Sequence, residues 1–260
     1  MEYELANINH MIFINVFGFK QFYDILKMHE PENSILYFTN IDLNKGKLIA
    51  ETLKINKFLK KLYLVNSYID DEIKFIFKSL EFNKFLTVLH LGYNNITDNG
   101  IKIITESLIK NQHLKILSLI NNHIAENGAE YIANLLKINK SITNLFLQNN
   151  NIGDNGTKFI AESLKINKYL MHLSLNINNI SNIGAEFIIE SLKINKSLTY
   201  LFLDINNIDH DKIKIINELL KNNRNNKEKI KRERAGEKIC FIVFLQYTHR
   251  KIEFFDKLNY

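Results

Sequence analysis

Histidine is the residue type in this chain that most readily binds a metal or acts as a general base. His90 and His172 fall in predicted strands that lie three sequence repeats apart, while His113, His123 and His210 fall at other positions. No pair of histidines or cysteines has the spacing of a zinc site, and the H-E-x-x-H motif does not occur. The sequence therefore predicts solvent-facing histidines, with no bound metal and no catalytic base.

Other short motifs that resemble catalytic or phosphate-binding motifs are better explained as structural parts of the fold. Gly46-Lys47 lacks the upstream glycine and the following Ser or Thr of a phosphate-binding loop. Ser107 and Lys110 match S-x-x-K, but they lie at a predicted helix end. Cys240 is the sole cysteine, and we interpret it as a small apolar residue. We therefore predict no catalytic residue, no cofactor and no enzymatic activity.

The charge distribution indicates that the protein does not bind nucleic acid. The net charge is +6, and from Asn222 onward ten Lys and Arg residues stand against five Asp and Glu, so the longer part before it is nearly neutral. We interpret the overuse of Ile, Asn and Lys as coding bias. Without an intrachain disulfide, a signal peptide or a membrane-spanning segment, the chain is predicted to be cytoplasmic, monomeric and not membrane-bound.

A 28-residue repeat dominates the sequence. The pattern L-x-x-L-x-L-x-x-N-x-I begins at Leu86, Leu114, Ile142, Leu170 and Leu198. Three further columns recur in register: asparagines after the strand (Asn94, Asn122, Asn150, Asn178, Asn206), glycines (Gly100, Gly128, Gly156, Gly184) and asparagines at the helix end (Asn111, Asn139, Asn167, Asn195). A shorter copy covers residues 59–80 and a degraded one covers 34–57. About seven repeats are therefore predicted.

Each column has a physical interpretation. The alternating leucines occupy one face of a short strand, and apolar residues at helical spacing follow the glycine. The asparagine after the strand is expected to bond backbone groups that a tight turn would leave unpaired. The glycine follows Asp or Asn residues suited to a helix start. The asparagine at the helix end is expected to adopt the left-handed conformation of a C-terminal cap.

These columns resemble the ribonuclease-inhibitor-like subfamily of leucine-rich repeats, over about residues 34–223. That subfamily includes ribonuclease inhibitors, NOD-like receptor sensor regions and Ran GTPase-activating proteins. The resemblance implies an α/β leucine-rich-repeat solenoid, a curved right-handed βα horseshoe arc with a parallel sheet on the concave face and helices on the convex face. It also implies a protein partner.

The domain prediction follows from the extent of the repeats. Residues 1–33 are expected to form an N-terminal cap, and residues 34–223 the repeats. Residues 224–260 are expected to be a basic linker and C-terminal cap or tail, in which 239–247 is typical of a strand that closes the sheet.

Function is expected to depend on the strand residues that point away from the core. The predicted partner-binding residues on the concave face are Tyr63, His90, Tyr93, Phe146, Gln148, His172, Tyr200, Phe202 and Asp204. The leading hypothesis is a non-catalytic protein-binding scaffold. A regulator of a small GTPase is an alternative, although the repeats hold no arginine of the kind that activators often supply. A structural repeat protein without a specific partner is another.

Overall fold

The computed structural model describes residues 11–13, 34–38, 41, 43–67 and 74–229. The chain divides into two units, residues 1–220 and residues 221–260, and the described part of the second unit is helical. Most of the predicted N-terminal cap, the predicted closing strand at 239–247 and Cys240 lie outside the described residues. The repeats lie in the first unit.

Within the described ranges, eight short strands form one parallel sheet, and they follow each other across it in chain order. Leu117 pairs with Leu89 on one side and Leu145 on the other, so corresponding residues of successive repeats lie side by side. The strands are β1 (Met11–Phe13), β2 (Ser34–Phe38), β3 (Leu59–Leu64), β4 (Val88–His90), β5 (Ile116–Ser118), β6 (Asn144–Phe146), β7 (His172–Ser174) and β8 (Tyr200–Phe202).

A row of helices covers one face of this sheet. They are α1 (Leu43–Ile55), α2 (Lys74–Leu80), α3 (Asp98–Lys110), α4 (Glu126–Ile138), α5 (Gly153–Ile166) and α6 (Asn182–Ile194), and residues 210–220 are also helical. Packed helices need about 8–10 Å of width whereas strands need about 4.8 Å, so the stack curves with the sheet on the inside. The predicted α/β leucine-rich-repeat solenoid is confirmed.

The core lies between the sheet and the helices and continues from repeat to repeat. Leu89, Leu91 and Ile96 of one repeat are buried together with Ile104 and Leu108 of its helix. Burying each such side chain stabilises the fold by about 1.5–3 kcal/mol. Since no single repeat could enclose its own apolar face, the stacking of neighbours is what makes this core possible.

The asparagines that follow the strands form what we call the strand-end ladder: Asn94, Asn122, Asn150, Asn178 and Asn206. The Asn150 side-chain nitrogen donates to the carbonyls of Leu119 and Leu147, each at 3.0 Å. Its oxygen accepts from the backbone N–H of Ile124 at 3.0 Å. The predicted role is confirmed, and because Leu119 and Ile124 belong to the preceding repeat, these bonds also join neighbouring repeats.

The asparagines at the helix ends do not adopt the predicted left-handed conformation. Asn139 is extended, with φ −72° and ψ 127°, and is buried. Its side-chain nitrogen donates to the carbonyls of Leu108 at 2.9 Å and Asn111 at 2.8 Å, and its oxygen accepts from the N–H groups of Ser141 and Ile142. The left-handed prediction was wrong because the side chain, rather than the backbone, satisfies the turn. Asn83, Asn111, Asn139, Asn167 and Asn195 form a second series, the helix-end ladder.

At Gly128 and Gly184 the repeated glycine allows close approach of an aspartate, whereas at Gly156 a Cβ would instead meet Ile152 and Ala129. A Cβ on Gly184 would lie 2.6 Å from Asp154 Oδ1 of the preceding repeat. That carboxylate accepts from the backbone N–H groups of Ser181 at 2.8 Å and Gly184 at 3.0 Å. The first turn of one helix therefore holds the start of the next, and only glycine leaves room for this contact.

Left-handed backbone occurs instead at the residue just before each strand-end ladder position. Asn121 and Asn149 have φ values of 55° and 54°, and a side-chain amide tolerates this region. Ile177 and Ile205 have φ values of 53° and 56°, and a β-branched side chain in this region is strained. Tyr93, at φ 59°, belongs to the same column.

Replacing Ile177 with asparagine is expected to raise the free energy of unfolding by about 1 kcal/mol, because the left-handed strain is relieved. Urea denaturation measures the change. The reverse substitution, Asn149→Ile, should destabilise the protein by a similar amount. If both variants lose stability, packing rather than backbone strain controls this column.

Candidate functional site

Two columns of side chains on the concave face lie side by side across the sheet. One column runs through Lys61, Val88, Ile116, Asn144, His172 and Tyr200, each paired with the next. The other runs through Tyr63, His90, Ser118, Phe146, Ser174 and Phe202 in the same register. The residues between them in sequence, such as Leu145 and Leu173, are buried against the helices. Alternation along each strand therefore places both columns on the face opposite the core.

The predicted binding residues differ in how much surface they present. Tyr200 and Phe202 on the last described strand are 45% and 44% exposed. Tyr93 and Asp204, at the carboxyl ends of β4 and β8, are also exposed. Tyr63, His90, Phe146, Gln148 and His172 are half-buried. Apolar surface is therefore most accessible towards β8, where Ile205 adds a 78% exposed side chain.

Ring contacts fix several of these side chains. Tyr63 stacks on His90 with ring centroids 5.6 Å apart, and His172 meets the Tyr200 ring edge-on at 4.7 Å. The amide nitrogen of Asn144 lies within hydrogen-bonding distance of His172 Nδ1. Rings held in this way lose little conformational entropy when a partner binds.

His90 has a structural role as well as a place on the concave face. Its Nδ1 accepts a hydrogen bond from the backbone N–H of Gly92 at 3.1 Å, which requires an unprotonated Nδ1. The ring lies over Gly92, where a Cβ would meet it at 2.5 Å. Burial lowers the pKa of His90 below its ordinary value. His90 is therefore neutral at physiological pH and presents a ring, rather than a charge, to the surface.

Small and large side chains alternate along the second column. Ser118 and Ser174 are buried, at 3% and 4% exposed, and each lies beside Phe146. The Ser118 hydroxyl has no hydrogen-bond partner among the described residues. The sequence pattern identified these positions as surface-pointing, but it could not show that the neighbouring side chains would cover them.

Within the described residues, no group of three or more His, Cys, Asp or Glu side chains is placed to hold a metal ion. No helix in the described ranges combines the length and the apolar composition needed to cross a bilayer.

One surface was not recognised from the sequence. The helix ends carry exposed isoleucines next to lysines, in the repeated K-I-N-K motif. The repeated K-I-N-K motif is the sequence signal for this surface. The overall enrichment in Ile, Asn and Lys, interpreted as coding bias, does not reveal it.

Four segments of the chain match the Leucine Rich repeat family model: residues 82–104, 110–133, 139–161 and 167–188. No curated protein matches the sequence. Among solved structures, the fold resembles that titled "Leiomodin-1 Actin-Binding Site 2 (ABS2)", with a TM-score of 0.57 and 23% sequence identity, covering 62% of this chain and 94% of that one. The tropomodulin C-terminal domain from Caenorhabditis elegans has a TM-score of 0.46 and 16% identity, covering 54% of this chain and 82% of that one. The matched segments cover less than half of the chain, and both they and the solenoid fold are similar to those of leucine-rich-repeat proteins.

Proposed function

We propose that this protein is a non-catalytic scaffold that binds another protein through its concave face. The observation that carries the proposal is the exposed aromatic and aliphatic surface of β8, formed by Tyr200, Phe202 and Ile205. Large apolar side chains exposed next to one another are typical of interaction sites. Interface hot spots favour tyrosine and other large side chains with a polar tip.

The order of the neighbouring rings supports the same proposal. His172 contacts Tyr200, and Tyr63 contacts His90, so the concave face presents rings whose positions are fixed before binding. Asp204 follows β8 and is exposed, and Gln148 follows β6 and is half-buried, so both can contribute to the polar rim that surrounds most interfaces.

We further propose that the repeats are of the ribonuclease-inhibitor-like type. The 28-residue period and the full α-helices of 13 or 14 residues in α3 to α6 support this assignment. The asparagines of the strand-end ladder also agree with the pattern of that subfamily.

An affinity experiment from native lysate tests the proposal. We expect wild type to retain a partner that the Phe146→Ala, Tyr200→Ala, Phe202→Ala variant loses, since the variant removes three concave rings. The matched control, Phe82→Ala, Ile166→Ala, Tyr169→Ala, removes comparable exposed surface at the helix ends, where these residues are 63%, 58% and 43% exposed. Circular dichroism should show both variants folded.

Loss of the partner from the concave variant alone supports the proposal. Equal retention by both variants contradicts it, and loss from the control alone moves the site to the helix ends. Actin is one defined protein to include, because the leiomodin-1 structure is titled an actin-binding site. Cosedimentation with filaments tests that partner directly, using the same two variants.

A further inference from the structure

The turns that follow the helices stack into one continuous edge. They comprise residues 54–58, 81–85, 109–113, 137–141, 165–169 and 193–197, and we call this surface the helix-end edge. The helix-end ladder holds adjacent turns together: Asn139 donates to the carbonyl of Asn111 at 2.8 Å, and Asn195 donates to that of Asn167 at 2.8 Å. Residues at the same position of neighbouring turns are therefore adjacent in space.

Apolar side chains line this edge. The residue before the asparagine of the turn is 71% exposed at Ile55, 63% at Phe82 and 58% at both Ile166 and Ile194. Ile138 is 52% exposed in the same column. The edge holds half of all the large exposed hydrophobic side chains among the described residues. Such a concentration marks a contact surface rather than scattered surface residues.

Lysines surround these apolar side chains. The six turns carry ten lysines against a single acidic residue, Glu81, although the part of the chain before Asn222 is nearly neutral. Coding bias can raise the number of lysines in a protein, but it does not gather them on one edge. The net charge of the chain before Asn222 is therefore nearly zero although this one edge is strongly basic.

Several of these lysines are free of carboxylate partners. Lys110 pairs with Glu81 at 2.8 Å, and Lys165 and Lys193 each pair with a glutamate of their own helix. Within the part of the chain that the structure describes, the exposed side chains of Lys57, Lys84, Lys140 and Lys168 make no ion pair, and they occupy one column. That column faces solvent with its charge uncompensated.

We propose that the helix-end edge attaches the protein peripherally to a membrane surface with anionic lipid headgroups. The lysines contact headgroup phosphates and carboxylates, and the isoleucine and phenylalanine side chains enter the boundary between headgroups and acyl chains. A surface that is both basic and apolar can contact the charged headgroups and the acyl chains at the same time.

The composition of the edge favours lipid over other anionic partners. The edge combines lysines with exposed isoleucines, and a layer of anionic headgroups above acyl chains can contact both together. A nucleic-acid backbone would leave the row of isoleucines in contact with water. Lysine is a compact, strongly hydrated charge on a flexible stem, which suits a fluid layer of headgroups without fixed geometry.

Vesicle flotation with the full-length protein tests the proposal. Wild type should bind phosphatidylcholine vesicles that contain about one-third phosphatidylserine, should not bind pure phosphatidylcholine, and should lose binding as salt screens the charges. The quadruple variant Lys57→Gln, Lys84→Gln, Lys140→Gln, Lys168→Gln should bind these vesicles at least about tenfold more weakly than wild type. The reason is that each lysine near an anionic bilayer multiplies affinity several-fold.

A matched control removes the same charge from other helical positions. The variant Lys74→Gln, Lys102→Gln, Lys158→Gln, Lys214→Gln changes four exposed lysines outside the edge and should retain affinity within about threefold of wild type. A third variant, Ile138→Gln, Ile166→Gln, Ile194→Gln, keeps every charge. It should weaken binding while leaving the salt dependence unchanged, because it removes only the inserted apolar surface.

Three results would overturn the proposal. One is the absence of wild-type binding to the phosphatidylserine vesicles. Another is equal weakening by the edge and control lysine variants, which would assign binding to net charge. The third is undiminished binding by the edge lysine variant, which would assign it to the basic residues after Asn222. Retention on immobilised polyglutamate without vesicle binding would make the occupant an acidic polypeptide and reject the lipid.

Discussion

Replacing Asn150 with leucine is expected to lower the free energy of unfolding by about 2–4 kcal/mol, because one buried N–H loses its acceptor and two buried carbonyls each keep only the donor from a neighbouring ladder asparagine. The N–H of Ile124 loses its acceptor, and the carbonyls of Leu119 and Leu147 each lose a donor. Leucine has as many side-chain heavy atoms as asparagine, so the substitution leaves no cavity and removes the hydrogen bonds. Urea denaturation followed by circular dichroism gives the value.

The adjacent residue provides the control for this substitution. Asn151 is exposed, and its side-chain oxygen accepts from Asn179 on the surface at 2.7 Å. Asn151→Leu should therefore change stability by less than about 1 kcal/mol. Equal effects of the two substitutions would show that the strand-end ladder contributes nothing beyond ordinary surface contacts.

The fold could be predicted because the pattern that encodes it is repeated. Leu117 and Leu119 alternate as a half-buried strand requires, and the same spacing recurs in every copy. A single copy would be compatible with many short strands, but columns in register leave the stacked parallel sheet as the consistent arrangement. The same alternation predicted which residues of each strand would point to the concave face.

The degree of exposure on that face could not be predicted in the same way. Ser118 and Phe146 occupy the same column, yet the serine is buried and the phenylalanine is half-buried. Exposure depends on the side chains of the neighbouring strands, and these vary from repeat to repeat. The sequence pattern fixes the direction of a side chain, whereas its neighbours determine how much of it a partner could reach.

The basic edge was missed for a related reason. Net charge sums over the whole surface, so lysines at the helix ends cancel against acidic residues elsewhere, such as Asp154 at a helix start. Only the stacking of turns shows that Lys140 and Lys168 are neighbours although they lie far apart in sequence. In a repeat protein, charge is more informative when it is counted by column than when it is counted by segment.

Substitutions at Asn139 distinguish the observed conformation of the helix-end ladder from the one predicted from sequence. Asn139→Leu and Asn139→Gly are both expected to lower the free energy of unfolding by about 4 kcal/mol. Each removes donors to Leu108 and Asn111 and the acceptor for two backbone N–H groups. Denaturant unfolding of the two variants under the same conditions measures the effect.

The Asn139→Gly variant provides the decisive comparison between the two conformations. At a left-handed cap, glycine would replace asparagine without loss, because it adopts positive φ freely. Asn149 does have left-handed backbone, with φ 54°, and its side chain is exposed, so Asn149→Gly should be nearly neutral. If Asn139→Gly is as stable as wild type, Asn139 acts as a conventional left-handed helix cap. A destabilised Asn139→Gly beside a neutral Asn149→Gly would establish that two asparagines of neighbouring repeats act in different ways, Asn139 through its side chain and Asn149 through its backbone.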